Sequence, residues 1–127
     1  GGARPLIYAL FRAVLDPGDK VVYPVPSWNN NHYCHLAGAR GVAVETSPEN
    51  GFQPTAAELA PHLADARLLA LNSPLNPAGT GFSREQLKAI AQLVVDENRQ
   101  RGPAAKPRAP LPTPRRSSWC RRWRPTP

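Results

Sequence analysis

"RLLALNSPLNPAGTGFSREQL", residues 67 to 87, passes from an apolar run into a helix-patterned stretch through a nine-residue turn at 72 to 80. The run is short, aliphatic and closed by turn-forming residues, which predicts a strand over 67 to 71. Ser83 followed by Gln86 forms a capping box. With Leu87, Ile90, Ala91 and Val94 as its apolar stripe, the next segment reads as a helix over Ser83 to Asn98. Any strand-to-helix connection needs turn residues, and Pro and Gly supply fixed or permissive backbone angles. The turn is therefore either a plain connection or a rigid holder for the Asn carboxamides within it.

The same alternation extends back to the start of the chain. "RPLIYALFRAVL" has helical apolar spacing with Pro5 suited to a first turn, so a helix is predicted over Pro5 to Leu15. "DPGDK" ends it, and "KVVYP" reads as a short buried strand near 20 to 23. A helix from about Asn30 to Ala37, ended by Gly38, leads to a strand near 41 to 46. "TAAELAPHLA" opens on a second capping box, Thr55 and Glu58, and predicts a helix over Thr55 to Leu63 that Pro61 kinks or shortens. Alternating helix and strand implies an α/β fold. The expectation is a three-layer α/β/α arrangement around a partial, mostly parallel sheet of three strands.

Composition divides the chain. Its 127 residues carry a net charge of +7. Residues 1 to 100 hold eight basic and nine acidic side chains, whereas residues 101 to 127 hold eight basic and none acidic. All of the excess basicity lies in the tail "GPAAKPRAPLPTPRRSSWCRRWRPTP", whose seven Pro and near absence of aliphatic residues predict a segment without regular structure. Its mixture of Arg, Pro, Ser, Trp and Cys also looks like a GC-rich gene read out of frame. The division expected is residues 1 to 101 as the folded part and 102 to 127 as the tail. There is no Met and the chain opens on "GGARPLIY", so it is expected to be an internal piece of a longer protein. No apolar run approaches the ~20 residues of a membrane span and no secretory pattern is visible. Cys34 and Cys120 suggest neither a disulfide framework nor a metal site. The expectation is a soluble, cytoplasmic protein without a membrane or metal partner.

Three stretches in order, "GGARPL", "YPVPSWNNNHY" and "NSPLNPAGTGFSREQL", resemble the class I/II aminotransferases of the aspartate aminotransferase type. These are fold-type I enzymes dependent on pyridoxal 5'-phosphate. The likeness covers roughly residues 1 to 101 and identifies them with a central slice of the large, cofactor-binding domain. Taken alone, the Gly pair before a helix is a weak anion-site signal. Trp28, at a strand's carboxyl end, is either a core residue or an indole face for a ligand ring. The resemblance implies that Gly2, Ala3 and Arg4 cradle the cofactor phosphate through their backbone amides, and that Trp28 stacks on its ring, with Tyr33 as the substitute. It also implies that Asn76, in the N-P-x-G turn, presents its carboxamide to the ring oxygen and toward the substrate carboxylate. Ala78 stands where the family usually has Thr, and Asn72 and Pro74 shape the turn. Asn29 to Asn31, His32 and His35 are expected to carry no chemistry.

Transamination also requires a lysine that carries the cofactor and moves a proton, and an Asp against the pyridine nitrogen. The resemblance places both beyond the N-P-x-G turn, the Asp on a strand that should begin near residue 106. Here that position opens "KPRAPLPTPRRSSW", which contains no acidic residue. The lysines present are Lys20, Lys88 and Lys106. Lys20 sits at the wrong end of a strand, Lys88 on a surface helix and Lys106 in the tail. No catalytic residue is assigned, and the chain as given is expected not to catalyse amino transfer. The parent enzyme is expected to be a homodimer acting on an amino acid and a 2-oxo acid. The alternatives are a module whose basic tail, with Trp119 and Trp123, meets nucleic acid or an acidic partner, or a non-functional truncated product.

Overall fold

The computed structural model describes residues 2–102. Helix α1 spans Ala3–Val14, two residues earlier than the position of Pro5 suggests, because Gly2 as N-cap adopts φ 72°, a left-handed angle that only glycine enters without strain. Leu15 ends the helix in an extended conformation. The "DPGD" turn then closes on itself, the Asp16 N–H donating to Asp19 Oδ2 at 2.8 Å. It also ties two strand starts together, since Arg40 N–H donates to the Asp19 carbonyl at 2.8 Å.

Strand β1, Lys20–Val25, helix α2, Asn30–Ala37, and strand β2, Arg40–Glu45, follow. Then come a single 3-10 turn at Pro48–Asn50, helix α3, Ala56–Leu63, strand β3, Ala66–Leu69, and helix α4, Arg84–Arg101. The strand order is β2-β1-β3, with β1 parallel to both neighbours. The α/β/α reading and the parallel sheet hold.

β1 continues through Pro24 instead of stopping at residue 23. Residues two apart on a strand direct their backbone groups to the same side. Val22 turns its carbonyl to β3, where the Ala70 N–H meets it at 2.9 Å, so Pro24 turns the same way. The ladder to β3 has ended by then, its last pair being Val22 with Leu69. The missing proline donor therefore breaks no sheet bond.

Successive β1 residues feed two cores. Val21 and Tyr23 pack with Phe11, Leu15, Tyr33, Cys34 and Ala37 beneath α1 and α2. Val22, with Val44, packs against Leu59, Leu63 and Ile90 of α3 and α4. A strand covered on both faces must be apolar throughout, which is why "VVYP" shows no alternation.

α4 departs from the expected stripe. Leu87 is 44% exposed and Ala91 is exposed, whereas Ile90, Leu93 and Val94 face the core. Ile90 and Val94 of the expected stripe therefore hold, and Leu93 replaces Leu87 and Ala91 on the face that packs with α3. Its last turn is fixed by Arg101, whose guanidinium donates to the Ala66 carbonyl at 2.6 Å and to the Leu63 carbonyl while pairing with Glu97 at 3.1 Å. That anchor carries the helix to Arg101, three residues past the expected end at Asn98. Both capping boxes form, Thr55 with Glu58 and Ser83 with Gln86, so each of these Thr and Ser residues is an N-cap outside its helix. Pro61 lies inside α3, which nonetheless runs to Leu63.

Among the described residues no helix is long and apolar enough to cross a membrane, and no group of three or more potential metal ligands occurs. The tail from 103 to 127, with Lys106, Cys120, Trp119 and Trp123, lies outside the described residues.

Candidate cofactor site

A cleft of about 370 Å³ opens at the carboxyl end of the sheet, beside the first turns of α1. Three separate chain segments supply its polar wall. Arg4 comes from α1, Trp28 and Asn30 from the connection after β1 and the α2 residue that follows it, and Asn72 and Asn76 from the turn after β3. Ile7, Leu10, Phe11 and the Leu68–Leu71 backbone run form the apolar remainder. Such a position, where strands on one sheet edge hand over to helices, is where open α/β sheets hold ligands.

Each wall has a local cause. Trp28 is reached through Pro26 and Ser27, and the chain turns into α2 at Asn29, which adopts φ 65°. Asn30 Nδ2 donates to Ser27 Oγ at 3.2 Å, and Asn29 Oδ1 lies 3.2 Å from His32 Nδ1. These contacts shape the turn and leave the Trp28 side chain 56% exposed. Asn29 and His32 thus shape the turn into α2, whereas Asn30, expected to carry no chemistry, lines the cleft.

The opposite wall is more firmly built. In the 72–80 turn Leu75 is 1% exposed, its N–H donating to the Thr80 carbonyl at 2.7 Å, and the Gly79 N–H donates to the Leu75 carbonyl at 2.6 Å. Thr80 is in turn held by the 51–53 loop, with Gln53 Nε2 donating to its carbonyl at 2.9 Å and the Thr80 hydroxyl donating to the Gly51 carbonyl. Asn76, between the buried Leu75 and the exposed Pro77, lines the cleft on this hydrogen-bonded backbone.

Of the residues singled out from the sequence, Arg4, Trp28 and Asn76 line this one cleft. Gly2 and Ala3 lie just outside its lining, as the N-cap and first residue of α1. Tyr33 lines it too, but it is 8% exposed and packs on Phe11 with ring centroids 5.4 Å apart, so it belongs to the core. Arg4 is the single charged residue among those lining the cleft, and no lysine, aspartate or glutamate lines it. Lys20 is at the other end of β1, its Nζ donating to the Ala64 carbonyl at 2.8 Å, and Lys88 is exposed on α4. The arrangement offers a flat aromatic face, three carboxamides and one cation, a donor set that fits a planar aromatic ligand bearing an anionic group. Sequence reasoning missed Gln53 and Thr80, because a glutamine in "GFQPT" has neither periodicity nor motif to mark it.

Residues 1–99 match the aminotransferase class I and II family. An aspartate aminotransferase of Bacillus sp. (strain YM-2) is 34% identical over 99 residues, 76% of this chain and 25% of that protein. The aspartate/prephenate aminotransferase of Thermus thermophilus is 36% identical over 99 residues, 76% of this chain and 26% of that protein. Among solved structures, the Thermus thermophilus aspartate aminotransferase with maleate superposes with a TM-score of 0.73 at 36% identity, covering 76% of this chain and 26% of that one. The chain spans about a quarter of the length of the curated relatives it matches. Aminotransferases of this kind depend on pyridoxal phosphate. By the match over residues 1–99, the parallel three-stranded sheet and these superpositions, the chain belongs to the class I and II aminotransferases.

Proposed function

We propose that residues 1 to 101 are part of the large domain of a pyridoxal-phosphate-dependent aminotransferase that moves an amino group between an amino acid and a 2-oxo acid. By composition residues 102 to 127 are a separate basic segment of the sequence, and the setting is cytoplasmic. The observation that carries the reading is the convergence of Arg4, Trp28 and Asn76, from three segments far apart in sequence, on one cleft at the sheet's carboxyl end.

When bound, the cofactor supplies a conjugated ring that takes up the electron pair released at the amino acid's Cα. The residues of this chain bind and orient. Trp28 offers its indole face to the ring, a contact worth about 0.5–1.5 kcal/mol. Asn76, on a turn held by the Leu75, Gly79 and Thr80 bonds, would present its carboxamide to the ring oxygen. The backbone amides of Gly2, Ala3 and Arg4, at the start of a helix with no acidic residue in its first turn, cradle the phosphate. The apolar wall of Ile7, Leu10 and Leu71 keeps water from one side of the ring.

Proton transfer is a different matter. It needs an amine of lowered pKa, which an apolar pocket or a neighbouring cation would provide. Among the described residues, Lys20 is bonded to a carbonyl at the far end of β1 and Lys88 is exposed on α4, so neither reaches the cleft. Among the described residues the chain thus supplies binding groups and no amine for turnover, and amino transfer by the chain as given is not expected.

The test uses 4'-deoxypyridoxine 5'-phosphate, which lacks the aldehyde and cannot label amines. Calorimetric titration should show binding that Trp28→Ala weakens by roughly two- to ten-fold, the stacking contribution converted to affinity. Unchanged affinity in Trp28→Ala would sink the site assignment. Separately, pyridoxal phosphate followed by borohydride should label lysines partially and without preference; one stoichiometric lysine together with amino transfer would overturn the expectation of inactivity.

A further inference from the structure

Between the two polar walls of the cleft lies a strut that neither wall contains. Thr46, just past β2, donates its hydroxyl to the Val25 carbonyl at 2.7 Å and to the Phe52 carbonyl at 3.1 Å. Val25 is the last residue of β1, and the chain from there leads directly to Trp28. Phe52 precedes Gln53, whose Nε2 reaches the Thr80 carbonyl at 2.9 Å. That same carbonyl accepts the Leu75 N–H at 2.7 Å, immediately before Asn76. The path from the Trp28 wall to the Asn76 wall is thus continuous, through Thr46, Gln53 and Thr80.

We infer that Gln53 is a positioning residue of the site: its amide holds the Thr80 carbonyl and so fixes where Asn76 presents its carboxamide relative to Trp28. Gln53 is 1% exposed, the one buried polar side chain of the core described here. Its Oε1 has no hydrogen-bond partner among the described residues, so the donor end is the part that acts. Because Thr80 offers a carbonyl, the group facing it must be a donor, which the Gln53 NH2 supplies; a carboxylate at this position would set oxygen against oxygen. The packing leaves little freedom for compensation, since a Cβ placed on Gly51 would lie 3.1 Å from Thr80 Cγ2. Both carbonyl lone pairs of Thr80 are in use, and losing Gln53 leaves the turn tied by Leu75 alone on that atom.

The consequence for ligand binding rests on the cofactor reading of Asn76, whereas the positional claim does not, and the experiment separates them. Gln53→Leu and Gln53→Met remove the donor and keep an apolar side chain of similar volume. In the full chain, amide exchange at Leu75 and Gly79 should quicken about ten-fold or more in both variants while Val21 and Val22 keep their wild-type rates. Unchanged exchange at Leu75 and Gly79, or equal acceleration throughout the sheet, overturns the inference. The second readout compares 4'-deoxypyridoxine 5'-phosphate with its analogue lacking the ring hydroxyl. Wild type should prefer the hydroxyl-bearing ligand about two- to ten-fold, the worth of one hydrogen bond, and Asn76→Ala should abolish that preference. Gln53→Leu should abolish it too, with no further loss in the double variant. If Asn76→Ala erases the preference and Gln53→Leu retains it, Gln53 positions nothing. If Asn76→Ala retains it, the cofactor role of Asn76 fails and the exchange rates alone decide on Gln53.

Discussion

Two turns leave the carboxyl end of this sheet, after β1 and after β3, and they are held in opposite ways. The 72–80 turn sinks Leu75 to 1% exposure, binds its own backbone twice and is gripped from outside through Thr80. The connection after β1 buries no side chain between Val25 and Asn29, and its side-chain contacts with α2 are local ones at the surface, Asn30 to Ser27 and Asn29 to His32, each at 3.2 Å. A carboxamide must meet a ligand atom within a few tenths of an ångström and along a direction, so it needs a fixed backbone. An aromatic face stacks over a broad range of offsets and tolerates a looser one. The rigidity of each turn matches the directionality of the group it carries.

The largest test of this contrast is a pair of truncations. Leu75→Ala should destabilise the protein by about 2–5 kcal/mol, as buried leucines do when a cavity replaces them. Trp28→Ala, at a side chain more than half exposed, should change stability by only about 0.5 kcal/mol. Urea unfolding of the two variants checks both figures. Equal losses would mean that Trp28 is a core residue and that the two turns do not differ.

This contrast explains which parts of the molecule the sequence discloses. Elements came from short-range patterns: the apolar runs of β1, β2 and β3, the Thr55 and Ser83 capping boxes and the Gly38 stop are all local, and all stand within one to three residues of the expected positions. Asn76, Trp28 and Arg4 were marked by motif. Long-range contacts leave no such trace. Of the expected α4 stripe Ile90 and Val94 face the core while Leu87 and Ala91 do not, because the buried face is set by packing on α3 and by the Arg101 anchor, which sequence spacing on one helix cannot report. Pro24 looked like a strand end because its ladder partner on the β3 side is missing only in three dimensions. Gln53 is the extreme case, its partner lying 27 residues away.

A smaller effect is expected where the two turns share a support. Thr46→Val keeps the β-branched shape and removes the hydroxyl that bonds Val25 and Phe52. The loss should be about 1 kcal/mol, one net hydrogen bond. Its signature is distribution: amide exchange should quicken near Val25 to Asn29 and near Leu75 to Gly79 together. Acceleration confined to one turn would cut the path between the two walls at Thr46.

The smallest effect is a dependence on pH that should reach only one of the turns. Beneath the Trp28 side, α2 packs Cys34 against Tyr23 of β1. Burial pushes the Cys34 thiol above its ordinary value of 9.0. Burial, and secondarily the charge of a Cys34 thiolate, pushes the Tyr23 phenol above 10.0. Both groups are neutral when protonated, so a raised pKa means that the folded chain holds protons which the unfolded chain has released. Stability from this pair is complete below about pH 9, the ordinary thiol value, and declines as pH rises through the thiol and then the phenol range. Leu75, Gln53 and Thr80, which anchor the other turn, do not titrate in this range. Raising the pH from 8 to 10 should therefore lower the urea midpoint slightly and quicken exchange at Tyr33 and Cys34 before Leu75 and Gly79. Cys34→Ala removes the titrating thiol and should flatten the first part of that decline. A decline that begins below pH 8, or that loosens both turns at once, would show that their supports are coupled through β1 more tightly than the separate anchors imply.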